Sequence, residues 1–137
     1  MKRSAALTPL SREHHHALSL AIQAGKAARS DDATQWQQAA AKINQQAEQS
    51  LQAHFAEEER SLLPALAHAG HHQLVERTLE QHAHLRRLLQ HAELASPAIL
   101  QAFADAMTAH VRFEERELFA VAESLPEVMA ELQTPGA

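Results

Sequence analysis

"HFAEEERSLL", residues 54–63, returns further along the chain as "HVRFEERELF", residues 110–119. The two stretches share a histidine, two consecutive glutamates, an arginine and a leucine at the same spacings. One such stretch is common on a helix surface, where histidine and glutamate simply hydrogen-bond to each other. Two copies in a short chain instead predict a pair of similar helices that supply matching side chains to one place.

Within each copy, the histidine and the first matching glutamate are four residues apart. Residues i and i+4 lie on one face of an α-helix, so His54 and Glu58 lie on the same face, as do His110 and Glu114. Buried ionisable groups are costly unless they are paired or coordinate a metal ion. Because apolar residues surround both pairs, we expect each pair to face inward and to hold a cation. The flanking residues are Leu51, Phe55, Leu62 and Ala65 for the first pair, and Phe103, Ala106, Met107 and Leu118 for the second.

The other charged side chains of the two copies can be exposed to water and need not be buried. We interpret them as surface charges or as groups just outside the cation ligands. They are Glu57, Glu59, Arg60, Glu115 and Arg116.

The composition indicates an all-α protein. Glycine occurs only three times in 137 residues, while alanine, leucine, glutamine, glutamate and arginine dominate. This length favours a single domain, residues 1–137.

Capping residues and prolines divide the chain into four long helices and a short tail helix. Short connections make an antiparallel up-down four-helix bundle the expected architecture, with the tail helix as a lid on one end. The predicted boundaries are Thr8 as N-cap to about Ser30, Asp31 to Gly70, residues 71–94, Pro97 to Ser124, and "PEVMAELQ", residues 126–133.

The histidine triplet at 14–16 offers a ligand from helix one. His14 lies one turn after Leu10 and one turn before Leu18, and is the favoured ligand. His15 lies about 100° further round and is the alternative, whereas His16 faces water. The predicted apolar stripe of this helix contains Leu7, Leu10, Leu18, Ala21, Ile22 and Gly25.

Helix three offers His82, which is spaced at helical intervals from an apolar stripe. His84 is rotated about 200° away and is not expected to contribute. The stripe is formed by Val75, Leu79, Leu85, Leu88 and Leu89.

Several functional classes are disfavoured by composition. Cysteine and tyrosine are absent, so a metal must be bound through nitrogen and oxygen. A net charge of −5 without a basic cluster argues against nucleic acid or an anionic membrane as partner. No signal-peptide or membrane-spanning run is present, and we expect a cytoplasmic protein.

Four imidazoles and two carboxylates suit two cations, with the glutamates bridging them. Nitrogen and oxygen ligands favour iron, manganese or zinc, and bridging carboxylates inside a helical bundle are typical of non-haem diiron centres. A ferritin-like site requires Glu-x-x-His, which occurs only as Glu13 and His16 with His16 outward, and is set aside. A helical interaction module without metal is the remaining alternative.

Four blocks of the sequence resemble, in order, those of the hemerythrin-like family, the HHE cation-binding domain. They are "LSREHHHAL", "HFAEEERSLLP", "LEQHAHLRRLL" and "HVRFEERELF", and the resemblance covers residues 8–121, with Gln81 where the family has glutamate. It implies an oxo-bridged centre (Fe–O–Fe) of two non-haem iron ions. The implied ligands are His14, His54, Glu58, His82, His110 and Glu114.

The resemblance also implies a choice of functions. We expect the protein to bind or sense a diatomic ligand such as oxygen or nitric oxide; the alternative is iron storage, or iron supply for repair of damaged iron–sulfur centres. Family members that carry oxygen have a fifth histidine one turn before the third-helix ligand, where this chain has Thr78. Two nearly equivalent irons are therefore expected, which air converts to an oxo-bridged diferric form. The sequence assigns no catalytic residue and no protein partner.

Overall fold

The computed structural model describes residues 3–133, and throughout this range the regular structure is helical, without strands. The all-α prediction is confirmed, while both ends of the predicted 1–137 domain lie outside the described residues. Across residues 3–133, no helix is both long and apolar enough to cross a membrane.

Five helices follow one another between residues 3 and 133. Two of them, α2 and α4, are continuous rods in which α-helical segments alternate with wider π-helical turns. The helices are α1, Thr8–Ala28; α2, residues 33–68; α3, His72–Leu89; α4, residues 97–123; and α5, Pro126–Gln133.

The predicted starts of α2 and α4 are confirmed by their caps. The side chain of Asp32 accepts a hydrogen bond from the backbone N–H of Thr34 at 2.9 Å. Ser96 accepts one from Ile99 at 3.4 Å, directly before Pro97. These caps satisfy N–H groups that a helix leaves unpaired at its first turn.

The predicted cap of α1 is wrong. Thr8 is the first helical residue, and Leu7 holds the N-cap position without a side-chain bond. The preceding residues form a turn, and the Thr8 hydroxyl donates to the carbonyl oxygen of Ser4 at 2.7 Å. The hydroxyl is thereby engaged upstream and does not cap the helix.

Gly70 ends α2 as predicted. Its φ of +90° lies in the left-handed region that glycine adopts most easily. The N–H of His71 donates to Leu66, and the N–H of Gly70 donates to Ala67, both at 3.0 Å. These two bonds form a Schellman motif, which turns the chain from α2 into α3.

Two residues placed in apolar stripes by the sequence are exposed in the structure. Ile22 is 70% exposed, because the packed face of α1 is formed by neighbours such as Ala17 and Ala24 on another side of the helix. Leu79 is 42% exposed, and Thr78 takes the buried place beside it. A stripe drawn from spacing alone can be rotated by one residue, or about 100°.

The helices bury two apolar clusters, one towards each end of the molecule. The first cluster contains the C-terminal half of α1, the N-terminal parts of α2 and α4, and the end of α3. The second contains the start of α1, the ends of α2 and α4, and Val128 of α5. On α1, α2 and α4, the candidate ligands lie between residues of these two clusters, so they form a polar layer inside the bundle of helices.

Three π-helical segments interrupt the rods, and the sequence analysis did not predict them. They are Ala47–Leu51, Glu58–Leu62 and Glu114–Leu118. The last two begin at the matching glutamates of the repeated stretch, and each ends with an N–H that donates to that glutamate's carbonyl, from Leu63 and Phe119 respectively. Single π turns within α-helices are frequent at functional sites.

Candidate metal centre

The structure brings all six predicted ligands together in the polar layer. None is more than 5% exposed, and three are fully buried. His14 belongs to the cluster, whereas its neighbours His15 and His16 are exposed. The six are His14, His54, Glu58, His82, His110 and Glu114.

These residues form two overlapping groups, each able to hold one metal ion, with ligand atoms within 4.8 Å of one another. We call them position one and position two. Both groups contain Glu58 and Glu114. Position one adds His14 and His54, and position two adds His82 and His110.

Glu114 presents one carboxylate oxygen to each position. Its Oε1 lies 2.8 Å from Nε2 of His14, and its Oε2 lies 3.2 Å from Nε2 of His110. A carboxylate with its oxygens divided in this way is oriented as a bridge between two cations.

Glu58 is divided in the same way. Its Oε1 lies 3.0 Å from Nε2 of His82, at position two. Its Oε2 lies 3.5 Å from Nε2 of His54, at position one, an ion-pair distance without hydrogen-bond geometry. The two glutamates of the repeat therefore take equivalent roles from opposite parts of the chain.

Four buried polar atoms of this cluster have no hydrogen-bond partner among the described residues. They are Nε2 of His54 and Oε2 of Glu58 at position one, and Nε2 of His110 and Oε2 of Glu114 at position two. Buried polar atoms are almost always paired, because an unpaired one costs roughly 1–3 kcal/mol. One nitrogen and one oxygen of this kind at each position fit two metal ions.

Each histidine uses its outer nitrogen, Nδ1, to bind a neighbouring helix. The acceptors are carboxylate or amide oxygens, so Nδ1 donates and Nε2 faces the centre. The bonds run from His14 to Glu115 at 2.6 Å, His54 to Glu13 at 2.8 Å, His82 to Glu59 at 2.7 Å, and His110 to Gln81 at 2.7 Å.

These outer bonds close a ring around the centre. α1 supports the histidine of α2, α2 that of α3, α3 that of α4, and α4 that of α1. The orientation of every histidine thus depends on a helix other than its own. Such outer partners commonly orient metal ligands and raise their basicity.

Two of the outer carboxylates are themselves anchored by arginine. Glu59 receives hydrogen bonds from Arg86 at 2.8 and 3.1 Å. Glu115 receives one from Arg3 at 3.2 Å and one from the Ser11 hydroxyl at 2.9 Å. These contacts restrict both carboxylates to the geometry that the histidines need.

Only part of this outer layer is predicted by the sequence. Glu59 and Glu115 were placed at the surface or beside the ligands, and their matching positions in the repeat were the available signal. Glu13 and Gln81 were not recognised as partners, since each binds a histidine on the next helix rather than its neighbour in sequence.

Aromatic rings hold two of the histidines from the apolar clusters. Phe55 stacks on His82 with ring centroids 4.5 Å apart, and Phe119 stacks on His14 at 5.3 Å. These contacts restrict ring rotation and exclude water from the polar layer.

The pKa values of the two buried carboxylates, Glu58 and Glu114, shift in opposite directions in the metal-free protein. Burial, together with the nearby charge of Glu114, raises the pKa of Glu58. Burial alone would also raise the pKa of Glu114, but the charge of His110 and contacts with His14 and His54 bring it well below its usual range. Two carboxylates this close do not ionise independently.

The same carboxylates raise the pKa values of two histidines, His54 and His82. Burial alone would lower the pKa of His54, but contacts with Glu114 and Glu58 outweigh it and raise that pKa to about 11. For His82, burial is outweighed in the same way, and the pKa rises to about 9. In the absence of metal, protons therefore supply positive charge that a cation would otherwise provide.

A small cavity of about 30 Å³ lies against the centre. It is large enough for a water-sized or diatomic molecule. The polar wall includes His54 and His110, and the apolar wall is formed by Ala17, Leu51, Phe55 and Met107.

Comparison with known proteins agrees with this geometry. No curated protein and no solved structure matches the chain. A family model, the hemerythrin HHE cation-binding domain, matches residues 6–122, which include all six buried ligand candidates. The chain therefore belongs to the hemerythrin family of HHE cation-binding domains.

Proposed function

We propose that the protein binds two non-haem iron ions at positions one and two and that this centre binds or senses a diatomic ligand such as oxygen or nitric oxide. The observation that carries the proposal is the division of both glutamates between the two positions, with an unpaired nitrogen and oxygen at each. His14 and His54 would hold one ion, His82 and His110 the other, and the two glutamates would bridge them.

The proposal takes iron from among the metals that the donor set suits, because of the two carboxylates shared between the positions. Imidazole and carboxylate without sulfur suit iron, manganese and zinc, and two bridging carboxylates in a helical bundle are typical of diiron proteins. When bound, the iron pair would supply redox chemistry and coordination places for a small ligand.

The protein supplies the remaining requirements of such a site. Its outer hydrogen bonds hold each imidazole with Nε2 inward, and the stacked phenylalanines keep bulk water away. The cavity beside His54 and His110 admits a molecule of diatomic size and has a mainly apolar wall. These features support a small, weakly polar ligand.

The proposal includes an antiparallel up-down arrangement of α1 to α4 within one domain. α1 passes from the second apolar cluster to the first, α2 returns to the second, and α4 again runs from the first to the second. The ring of outer bonds, in which each helix contacts the next, supports the same order.

Iron storage, or supply for repair of iron–sulfur centres, is the second candidate. It is favoured by Thr78, which is fully buried one turn before His82 and donates its hydroxyl to Leu74. Each position thus has only two histidines, which favours release of metal over permanent retention. Slow iron loss to a chelator would argue against this candidate.

The metal assignment is tested by reconstituting the protein anaerobically with ferrous iron and counting iron per chain. We expect about two in the unmodified protein, and loss of most of the iron in Glu58→Ala or Glu114→Ala, since each change removes a ligand from both positions. His68→Ala is the matched control, because His68 is exposed and, among residues 3–133, its ion pair is with the surface residue Glu131. Full iron in both glutamate variants would show that the assignment is wrong.

The ligand is tested on the iron-loaded protein. Nitric oxide added without air should change the optical spectrum, whereas the zinc-loaded protein should show no change. An iron-loaded spectrum that neither nitric oxide nor oxygen alters would contradict the diatomic-ligand proposal.

A further inference from the structure

The four outer hydrogen bonds are alike in length but not in charge. At position one, both histidines donate to carboxylates, Glu115 and Glu13. At position two, His82 donates to the carboxylate of Glu59, but His110 donates to the neutral amide oxygen of Gln81. The two positions are therefore nearly equivalent in their ligand atoms, two histidines each, but they differ in the charge of the groups that hydrogen-bond to those histidines.

Arginine contacts leave this difference in place. Arg86 makes two hydrogen bonds to Glu59, so the carboxylate that accepts a histidine Nδ1 proton at position two is neutralised by its partner. At position one, Arg3 contacts Glu115, while the bond from His54 is the one side-chain contact that the described residues provide for Glu13. Position one therefore retains about one more outer negative charge than position two.

The additional negative charge should strengthen the binding of a cation at position one. A carboxylate that accepts the Nδ1 proton makes the imidazole a stronger donor, and hydrogen bonds to charged acceptors are roughly twice as strong as neutral ones. An amide oxygen orients the ring equally well but carries no net charge. Gln81 thus preserves the orientation of His110 without increasing its affinity for metal.

A surface groove lies beside the outer hydrogen bond of position two, although His82 and His110 themselves are buried. A groove of about 440 Å³ runs between α3 and α4, and both Gln81 and His110 line it, together with His84 and Asp105. Position one also borders a cavity: Glu13, His14 and His54 line the cavity of about 30 Å³, and the Glu13 side chain is 46% exposed. Access from solvent therefore does not distinguish the two positions, whereas the charge of the outer partners does.

We propose that Gln81 is a positioning residue that makes position two the weaker and more readily exchanged of the two metal positions. The protein would then load position one first and release metal from position two first. This inference rests on the proposed two-metal centre, and it assigns the exchangeable ion to the position whose outer partners include the neutral amide of Gln81.

The test is an anaerobic titration of the metal-free protein with Co²⁺ alone, followed by calorimetry and visible spectra. The unmodified protein should bind in two steps whose affinities differ by about 10- to 100-fold, the range typical of losing one outer partner. Gln81→Glu should strengthen the weaker step until the two steps merge. Glu13→Gln should merge them from the other side, by weakening the stronger step.

The double variant Gln81→Glu with Glu13→Gln is the matched control. It keeps the same total charge but moves the carboxylate from position one to position two, so two separated steps should return in reversed order. Loss of Co²⁺ to a chelator should have two phases in the unmodified and double variants and one phase in each single variant.

The outcomes separate this inference from the function on which it rests. Two bound ions with the same separation of steps in all four proteins would overturn the role of Gln81 while leaving the two-metal centre intact. A folded, unmodified protein that binds no Co²⁺ and no iron would overturn the proposed function, and this inference with it.

Discussion

At the scale of single residues, burial separates histidines that are neighbours in sequence. His14 is 3% exposed and lies 2.8 Å from Glu114, whereas His15 and His16 are exposed. A rotation of about 100° per residue is enough to carry an imidazole from the metal centre to solvent.

His14→Ala should lower the affinity of position one for metal by more than the roughly 10- to 100-fold that loss of an outer partner costs, because it removes a coordinating nitrogen. His15→Ala is the matched control and should leave affinity unchanged. Metal-binding constants measured by calorimetry check both. Loss of binding in His15→Ala alone would mean that α1 is rotated by about one residue relative to the structure.

At the scale of elements, α2 and α4 repeat more than a set of ligands. Both place a π segment one turn after the inward histidine, starting at the buried glutamate that both positions share. Pro64 follows the segment in α2, but no proline follows the one in α4, so proline is not its common cause. The π turns accompany the two shared buried carboxylates on both helices.

The buried face of α3 carries the other element-scale prediction. Thr78→His should place an imidazole one turn before His82 and slow metal loss to a chelator, since position two would gain a ligand. The larger ring should also cost the metal-free protein about 1–3 kcal/mol of unfolding free energy through overpacking. Thr78→Val keeps the size of the side chain without a nitrogen and should release metal at the unmodified rate. Equal chelator rates in all three proteins would contradict the placement of Thr78.

At the scale of the whole molecule, the polar layer sits between two apolar clusters, so its charge affects the stability of the entire fold. In the metal-free protein the pKa of His82 is raised to about 9 and that of His54 to about 11, from an ordinary value of 6.5. A raised histidine pKa contributes stability that is complete below the unfolded value and is lost as pH rises through the folded value. The burial-raised pKa of Glu58 acts in the same direction.

The unfolding free energy of the metal-free protein should therefore fall between about pH 6.5 and pH 9, by a few kcal/mol at most for the His82 proton. Zn²⁺ should reverse the trend, because binding displaces these protons and becomes more favourable as pH rises. Denaturant titrations at both pH values, with and without Zn²⁺, measure the two slopes. A metal-free stability that rises over this interval would contradict the charge arrangement of the layer.

Much of this architecture could be predicted from local sequence. Asp32, Ser96 and Gly70 mark helix ends through bonds and dihedral angles within a few residues, and the tail helix Pro126–Gln133 has the predicted bounds. The inward histidine and glutamate pairs could also be predicted from the sequence, because helical periodicity acts over a single turn.

Features that depend on contacts between helices could not be predicted in this way. Ile22 and Leu79 are exposed because neighbouring helices cover a different part of α1 and α3 than apolar spacing suggests. The bonds of Glu13 to His54 and of Gln81 to His110 join residues 41 and 29 positions apart.

The sequence by itself determined the helical class, several helix ends and which side chains could bind metal, since these follow from interactions within one or two turns. It misplaced the N-cap of α1, and it extended the third helix to residue 94, whereas α3 ends at Leu89. The tertiary structure alone decided that these side chains meet, that two glutamates divide their oxygens between two positions, and that one position has less outer charge. The physical reason is that each of these properties is a distance between atoms on different helices, and packing of the whole bundle sets such distances.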